Sequence, residues 1–285
     1  MRIHLKNRYL NLDEPAIMGV LNVTPDSFSD GGRFMSLDHA VIRAREMAAQ
    51  GADVIDVGGE STRPGARSVD AEEEMARVVP VIHRIKSELD IAVSVDTYKE
   101  SVARGAVEEG GADMVNDISG LGFSPRMAAT VAEMQVPVVI MHIKGTPENM
   151  QLKPEYWDVV EELKEYFNER IRLARAAGIA ADRIILDPGI GFGKRLRDNI
   201  DILKRLDEFR ALDCPVMVGV SRKSFLGALG GEVEPAARLP ETLIAGMAAA
   251  MRGAAMLRVH DVAAAVRALK VARALDVLPK EGTNN

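Results

Sequence analysis

Eight times along the chain, a short run rich in Val, Ile, Met and Ala ends in polar residues or glycine, at 16–24, 52–58, 91–97, 113–118, 136–142, 184–188, 215–221 and 255–261. Near-continuous apolar runs of this kind predict parallel strands buried on both faces. The intervals read as helices. Leu37, Val41, Ala44 and Ala48 form one stripe at helical spacing, and Trp157, Val160, Lys164 by its stem, Phe167, Ile171 and Ala174 form a longer one. Asp70 with Glu73, and Thr97 with Glu100, fit the N-cap and N3 positions of the helices after the second and third strands. Further helices are predicted near 125–134, 198–212, 238–252 and 262–275. Eight strand-then-helix units over about 250 residues predict an α/β chain closed as a (β/α)8 TIM barrel. An open dinucleotide-binding sheet would want a G-x-G-x-x-G turn after its first strand, and no turn supplies it. No linker or low-complexity insert divides the chain. The expectation is therefore one domain over 1–285, with its core at about 15–276 and a tail at 279–285.

Charge narrows the functional classes. With 36 Lys and Arg against 42 Asp and Glu, the net charge is −6 and no basic cluster stands out, which argues against a nucleic-acid partner. An anionic small substrate remains compatible, because a few cations in a cleft set the local field. Cys214 is the one cysteine and reads as a small buried core residue rather than part of a disulfide framework. No stretch approaches the roughly 18 apolar residues of a membrane span, and residues 1–12 do not resemble a signal peptide. A soluble, cytoplasmic protein is expected.

In a barrel of this type chemistry gathers at the C-terminal ends of the strands. Those ends carry Asn22, then Gly58 to Pro64, Asp96, Asn116 with Asp117, His142, Asp187, Ser221 to Lys223, and Arg258 with His260 and Asp261. Any one polar strand end is weak testimony. Eight that point at one mouth make a site.

The segments LNVTPDSFSDGG, IDVGGESTRPGA, SVDTYK, NDISG, MHIKGTP, LDPGIGFGK, GVSRKSFLG and RVHDV, taken in this order, closely resemble the dihydropteroate synthase family of pterin-binding barrels. The likeness runs from about residue 15 to about residue 276. It implies a magnesium-dependent transferase of folate biosynthesis, and usually a homodimer. The family joins p-aminobenzoate to 6-hydroxymethyl-7,8-dihydropterin diphosphate, releasing diphosphate.

The resemblance also implies roles, and the residue types suit them. Asp187 would accept the adjacent amino group and ring N–H of the pterin with its two oxygens. Asn116 and Asp96 would complete that recognition, Lys223 would meet the ring oxygen and neighbouring nitrogen, and Met141, Phe192 and the Arg258 guanidinium would pack against the ring. Thr62, Arg63, Arg258 and His260 would hold the diphosphate. Asn22 would be the protein ligand of Mg2+, a cation that keeps much of its shell as water and phosphate. Phe28, Pro64, Ser221 and Lys223 would line the p-aminobenzoate pocket. The loops 24–34 and 60–68 would be the mobile covers of the site, and the residues expected to act in the chemistry are Asn22, Arg63, Asp96, Lys223, Arg258 and His260. No nucleophile beside an evident base is visible, as suits loss of diphosphate followed by amine attack. Two other readings stay open: a pterin-binding methyltransferase domain, which has no use for the Thr62, Arg63, Lys223 and His260 set, and a pterin-binding paralogue without catalysis, which would lack Asn22, Arg63 or the Arg222–Lys223 pair.

Overall fold

The computed structural model describes residues 1–285 except 7, 25–32, 63–64, 67, 232–233 and 279–285. Strands β3 (Ala16–Asn22), β4 (Val54–Gly58), β5 (Ala92–Asp96), β6 (Met114–Asp117), β7 (Val138–Met141), β8 (Ile184–Asp187), β9 (Val216–Val218) and β10 (Ala254–Val259) pair in parallel and close into a barrel through β10 and β3. Around it lie α1 (Arg33–Ala49), α2 (Ala71–Glu88), α3 (Glu100–Glu108), α4 (Met127–Met134), α5 (Val159–Ala176), α6 (Leu196–Lys204), α7 (Ser224–Gly230), α8 (Leu239–Met251) and α9 (Val262–Ala274). The eightfold alternation in the sequence is thus realised as a (β/α)8 barrel. Among the described residues no helix is long and apolar enough to cross a membrane.

Alternation along each strand divides its side chains between two layers. Ile17, Leu21, Ile55, Val57, Val93, Val95, Val138 and Ile140 join Val78, Ile82, Val102 and Phe167 in the shell between sheet and helices. The intervening positions face inward. Low in the barrel they are Met18, Val54, Ala92, Met114, Val139, Ile185, Met217 and Met256, a separate apolar cluster.

That lower cluster is closed by an element the hydrophobic pattern does not announce. β1 (Arg2–His4) and β2 (Tyr9–Asn11) form a short antiparallel hairpin with Ile3 opposite Leu10. Its Ile3 and Leu5, with Leu12 just beyond it, are buried against the barrel's inner residues. Three-residue strands of mixed polarity give too little periodicity to read from sequence.

Helix starts follow local chemistry. Asp70 caps α2 as expected, accepting from the Glu73 N–H at 2.8 Å. The expectation for Thr97 is corrected. The Thr97 N–H still bonds the Asn116 carbonyl across the sheet, so α3 begins later, with Lys99 as N-cap and the Thr97 hydroxyl accepting from the Lys99 N–H. Trp157 is also corrected. It precedes the N-cap Asp158 and is 75% exposed, so the buried side of α5 starts at Val159 and Val160 and runs through Leu163, Phe167 and Ala174.

Candidate functional site

Higher in the barrel the inward positions of β4, β5, β6, β8 and β10 turn polar. Asp56, two residues beyond Val54, is fully buried and register-paired with Ser94. The Asp56 Oδ2 accepts from the Asn116 side-chain amide at 2.9 Å and from Arg258 Nε at 2.7 Å, and Arg258 Nη2 reaches Asp96 Oδ2 at 2.7 Å. Four side chains from β4, β5, β6 and β10 are thereby tied into one chain. Burial pushes the Asp96 carboxyl up to about 7, with Arg258 opposing and Asp56 reinforcing the rise. Burial also disfavours the Arg258 charge, but Asp56 and Asp96 outweigh it and raise its pKa further. The sequence reading missed Asp56, although a carboxylate in the middle of a buried strand was a usable signal.

The Asn116 amide nitrogen is engaged with Asp56, and two donors of Arg258 with carboxylates. Arg258, expected across the ring and at the diphosphate, has its Nε and Nη2 held here by Asp56 and Asp96. The outer oxygens Asp56 Oδ1 and Asp96 Oδ1, with Ser94 Oγ, are buried without a partner among the described residues. Gly58 leaves a gap above this chain: a Cβ added there would lie 3.6 Å from Asp96 Oδ2 and 3.7 Å from the half-buried Asn22 Oδ1.

On the opposite wall, Asp187 ends β8 across from Met141 of β7. The Gly189 N–H donates to Asp187 Oδ1 at 2.7 Å. Gly189 has φ +65°, and a Cβ there would come within 2.0 Å of the His142 carbonyl oxygen, so only glycine permits this turn. Burial raises the Asp187 pKa, opposed by the Gly189 N–H and by Lys223. Lys223 sets its ammonium 4.0 Å from the centroid of the Phe192 ring. Burial and Arg258 push that amine down to about 8, while Asp187 and Asp96 hold it up. Met141 is almost completely buried, and Phe192 is half-buried.

Behind this wall sits Lys194, whose amine bonds His142 Nδ1 at 3.0 Å, the His142 carbonyl at 3.3 Å and the Phe192 carbonyl at 3.1 Å. All three partners are neutral, and burial pushes the amine down to about 7. Lys194 belongs to LDPGIGFGK but received no role from the sequence; it ties the Phe192 loop to the end of β7.

Ser221 and His260 meet at a third edge. The His260 N–H lies 3.2 Å and its Nδ1 3.0 Å from Ser221 Oγ. The fold brings a Ser and a His together that lie far apart in the sequence. The pair is not an activated serine. Burial, followed by Arg258 and Arg222, pushes the imidazole down to about 4, too weak a base, and the neighbouring Asp261 carboxylate is taken by Arg222 at 2.7 Å.

Thr62 is half-buried in the loop after β4. The base of that loop is held by Glu60, which accepts from Tyr98 Oη at 2.8 Å, the Val69 N–H at 2.8 Å and Lys99 Nζ at 2.5 Å. Phe28, Arg63 and Pro64 lie outside the described residues, as does most of the loop expected to cover the site at 24–34. Among the described residues no group of three or more His, Cys, Asp or Glu is placed to hold a metal ion.

Carboxylate, amide, ammonium and guanidinium side chains from five strands and their loops thus gather at the C-terminal ends of the strands. The model of a family described as pterin binding enzyme matches residues 18–260. The chain is 46% identical over 259 residues to a dihydropteroate synthase of Synechocystis sp., covering 91% of this chain and 89% of that one. A Xanthomonas albilineans dihydropteroate synthase solved with 4-aminobenzoic acid superposes with a TM-score of 0.91 at 46% identity, covering 98% of this chain and 99% of that one. The same enzyme in complex with 7,8-dihydropteroate gives 0.88 at 42% identity, covering 98% and 100%.

Proposed function

The chain belongs to the dihydropteroate synthase family of pterin-binding enzymes, and on that premise we propose that it joins 6-hydroxymethyl-7,8-dihydropterin diphosphate to p-aminobenzoate, forming 7,8-dihydropteroate and diphosphate. The observation that carries this reading is the convergence of Asp96, Asn116, Asp187, Lys223 and Arg258 on one mouth of a barrel with this sequence. Asp187 accepts the pterin amino group and adjacent N–H. Asp96 Oδ1, buried without a partner among the described residues, is a second waiting acceptor. Lys223 donates to the ring oxygen, and Met141 and Phe192 pack the faces. An analogue lacking these groups leaves buried carboxylates unpaired, at about 1 to 3 kcal/mol each.

Thr62, Arg63 and His260 are assigned to the diphosphate. At neutral pH His260 serves as a neutral N–H donor, because its pKa is pushed down to about 4. Arg258 contributes positive charge from the floor. The bond between the exocyclic methylene and the diphosphate oxygen breaks with its electron pair leaving on the oxygen, and the ring system stabilises the cation left behind. The neutral arylamine attacks the methylene, forms the C–N bond and releases a proton to water. Phe28, Pro64, Ser221 and Lys223 are assigned to the p-aminobenzoate ring and carboxylate.

The donor set fits magnesium held mainly by substrate: Asn22 offers one amide oxygen beside the Gly58 gap, and no acidic or histidine cluster competes for the ion among the described residues. When bound, Mg2+ supplies charge neutralisation at the departing diphosphate. Exposed Leu229 of α7 with Ile244 and Met251 of α8 supplies apolar surface for a second copy of the chain, in support of a homodimer. The buried Cys214, its thiol pushed up to about 11, suits the reducing cytoplasm.

Diphosphate release from the dihydropterin diphosphate, assayed with and without p-aminobenzoate and Mg2+, tests the proposal. Release dependent on both is expected. Methyl transfer from a folate to a corrinoid, or tight binding without turnover, would replace the reading.

A further inference from the structure

Asp56 has no place in the reaction as described so far, yet three of the groups that do are organised around it. It is completely buried, and one of its oxygens receives both the Asn116 amide and Arg258 Nε. The Asn116 amide turns its nitrogen toward Asp56 Oδ2, and its carbonyl oxygen is free to face elsewhere. The guanidinium is held at two donors by carboxylates on adjacent strands, Asp56 at Nε and Asp96 at Nη2, which fixes its plane. Without Asp56, Arg258 would keep only Asp96 as an anionic partner, and Asp96 is the acceptor that pterin recognition needs. A carboxylate retained purely for packing would have both oxygens satisfied. Asp56 Oδ1 and the register-paired Ser94 Oγ instead remain buried without partners among the described residues, an arrangement retained at functional sites rather than in inert cores.

We infer that Asp56 is a positioning residue for pterin recognition: it orients the Arg258 guanidinium and the Asn116 amide, and so leaves Asp96 available to the substrate. The inference rests on the proposed synthase activity.

The test is steady-state kinetics of Asp56→Asn, with the affinity of a dihydropterin lacking phosphates measured by calorimetry. Pterin KM and Kd are expected to rise about tenfold or more while the KM for p-aminobenzoate stays within about twofold. An unchanged pterin KM overturns the assignment, and so does an equal loss toward both substrates, which marks a merely structural role. The same substitution in an Arg258→Gln background removes the buried charge together with its partner and covers the case in which the single variant does not fold. There only the Asn116 arm is left to lose, so the cost in pterin Kd is expected to be smaller than in the wild-type background, and an equal or larger loss means that Asp56 does not act through Arg258. A wild-type protein that forms no dihydropteroate removes the activity on which the inference rests. A wild type that turns over, beside an Asp56→Asn variant of normal pterin KM, removes the inference alone.

Discussion

The lower and upper halves of the barrel interior are built from the same strands at alternate positions, and they differ in almost every physical respect. Below, Met18, Val54, Ala92, Met114, Val139, Ile185, Met217 and Met256 fill the lumen and the β1–β2 hairpin seals it with Ile3, Leu5 and Leu12. Above, the next inward residues include Asp56, Ser94, Asn116, Asp187 and Arg258, some with oxygens that find no partner among the described residues and some with shifted pKa values. The lower half gains stability from apolar burial, and the upper half carries buried charge tied together by Asp56, Asp96 and Arg258. Stability and chemistry are thus separated along one axis by a change of residue type two positions further along five of the eight strands.

Arg258→Ala should break the upper half most severely. It leaves Asp56 and Asp96 facing each other without the cation that links them, so kcat/KM should fall by about a thousandfold or more and stability by about 3 kcal/mol. Kinetics and thermal unfolding check this together. A variant that keeps wild-type pterin KM and melting temperature would show that the linked carboxylates are incidental. Arg63→Ala should be the next largest. Its turnover is expected to drop by about 100- to 1,000-fold, while calorimetry still finds binding of a pterin without phosphates. Unchanged turnover would remove Arg63 from the diphosphate site.

The contrast between the halves also separates what could be read in the sequence from what could not. The eight strands were legible because buried parallel strands concentrate Val, Ile and Met, and the strand-end residues because polar side chains interrupt those runs. Asp56 was obscured by the same logic: it lies inside VIDVG rather than at its end, and only the barrel's curvature brings Arg258 and Asn116 to it. The Ser221–His260 contact was likewise illegible, since the two lie 39 positions apart in the chain. Trp157 misled because aromatic residues at helical spacing are usually buried, whereas the Asp158 cap starts the helix one residue too late to include it.

Ile3→Ala should sharpen the comparison from the other side. Removing a fully buried side chain from the seal of the lower half should cost about 2 to 4 kcal/mol, yet leave both KM values and kcat within about twofold, since Ile3 packs in the lower apolar cluster. Chemical denaturation and steady-state kinetics on one preparation test this. A large change in pterin KM would show that the halves are mechanically coupled.

The smallest effect expected is a pH dependence of ligand-free stability. Burial raises Asp117 to about 6, against its hydrogen bonds from Ser119 and Leu121, and Asp96 to about 7, both above the unfolded value of 3.8. Between pH 4 and 7 the native state therefore binds protons that the unfolded chain has lost, and stability falls as pH rises through that window. Burial lowers Lys194 to about 7 and Lys223 to about 8 from 10.5, so above pH 7 the unfolded chain binds the extra protons and stability recovers. The contribution of these four groups should pass through a minimum near neutrality, a difference of a few degrees in melting temperature measured without ligand. Asp96→Asn removes only the descending limb that Asp96 contributes. Its melting temperature, taken relative to wild type, should rise between pH 5 and pH 8, and a difference that stays flat across that range would show that the polar half carries no such cost at Asp96.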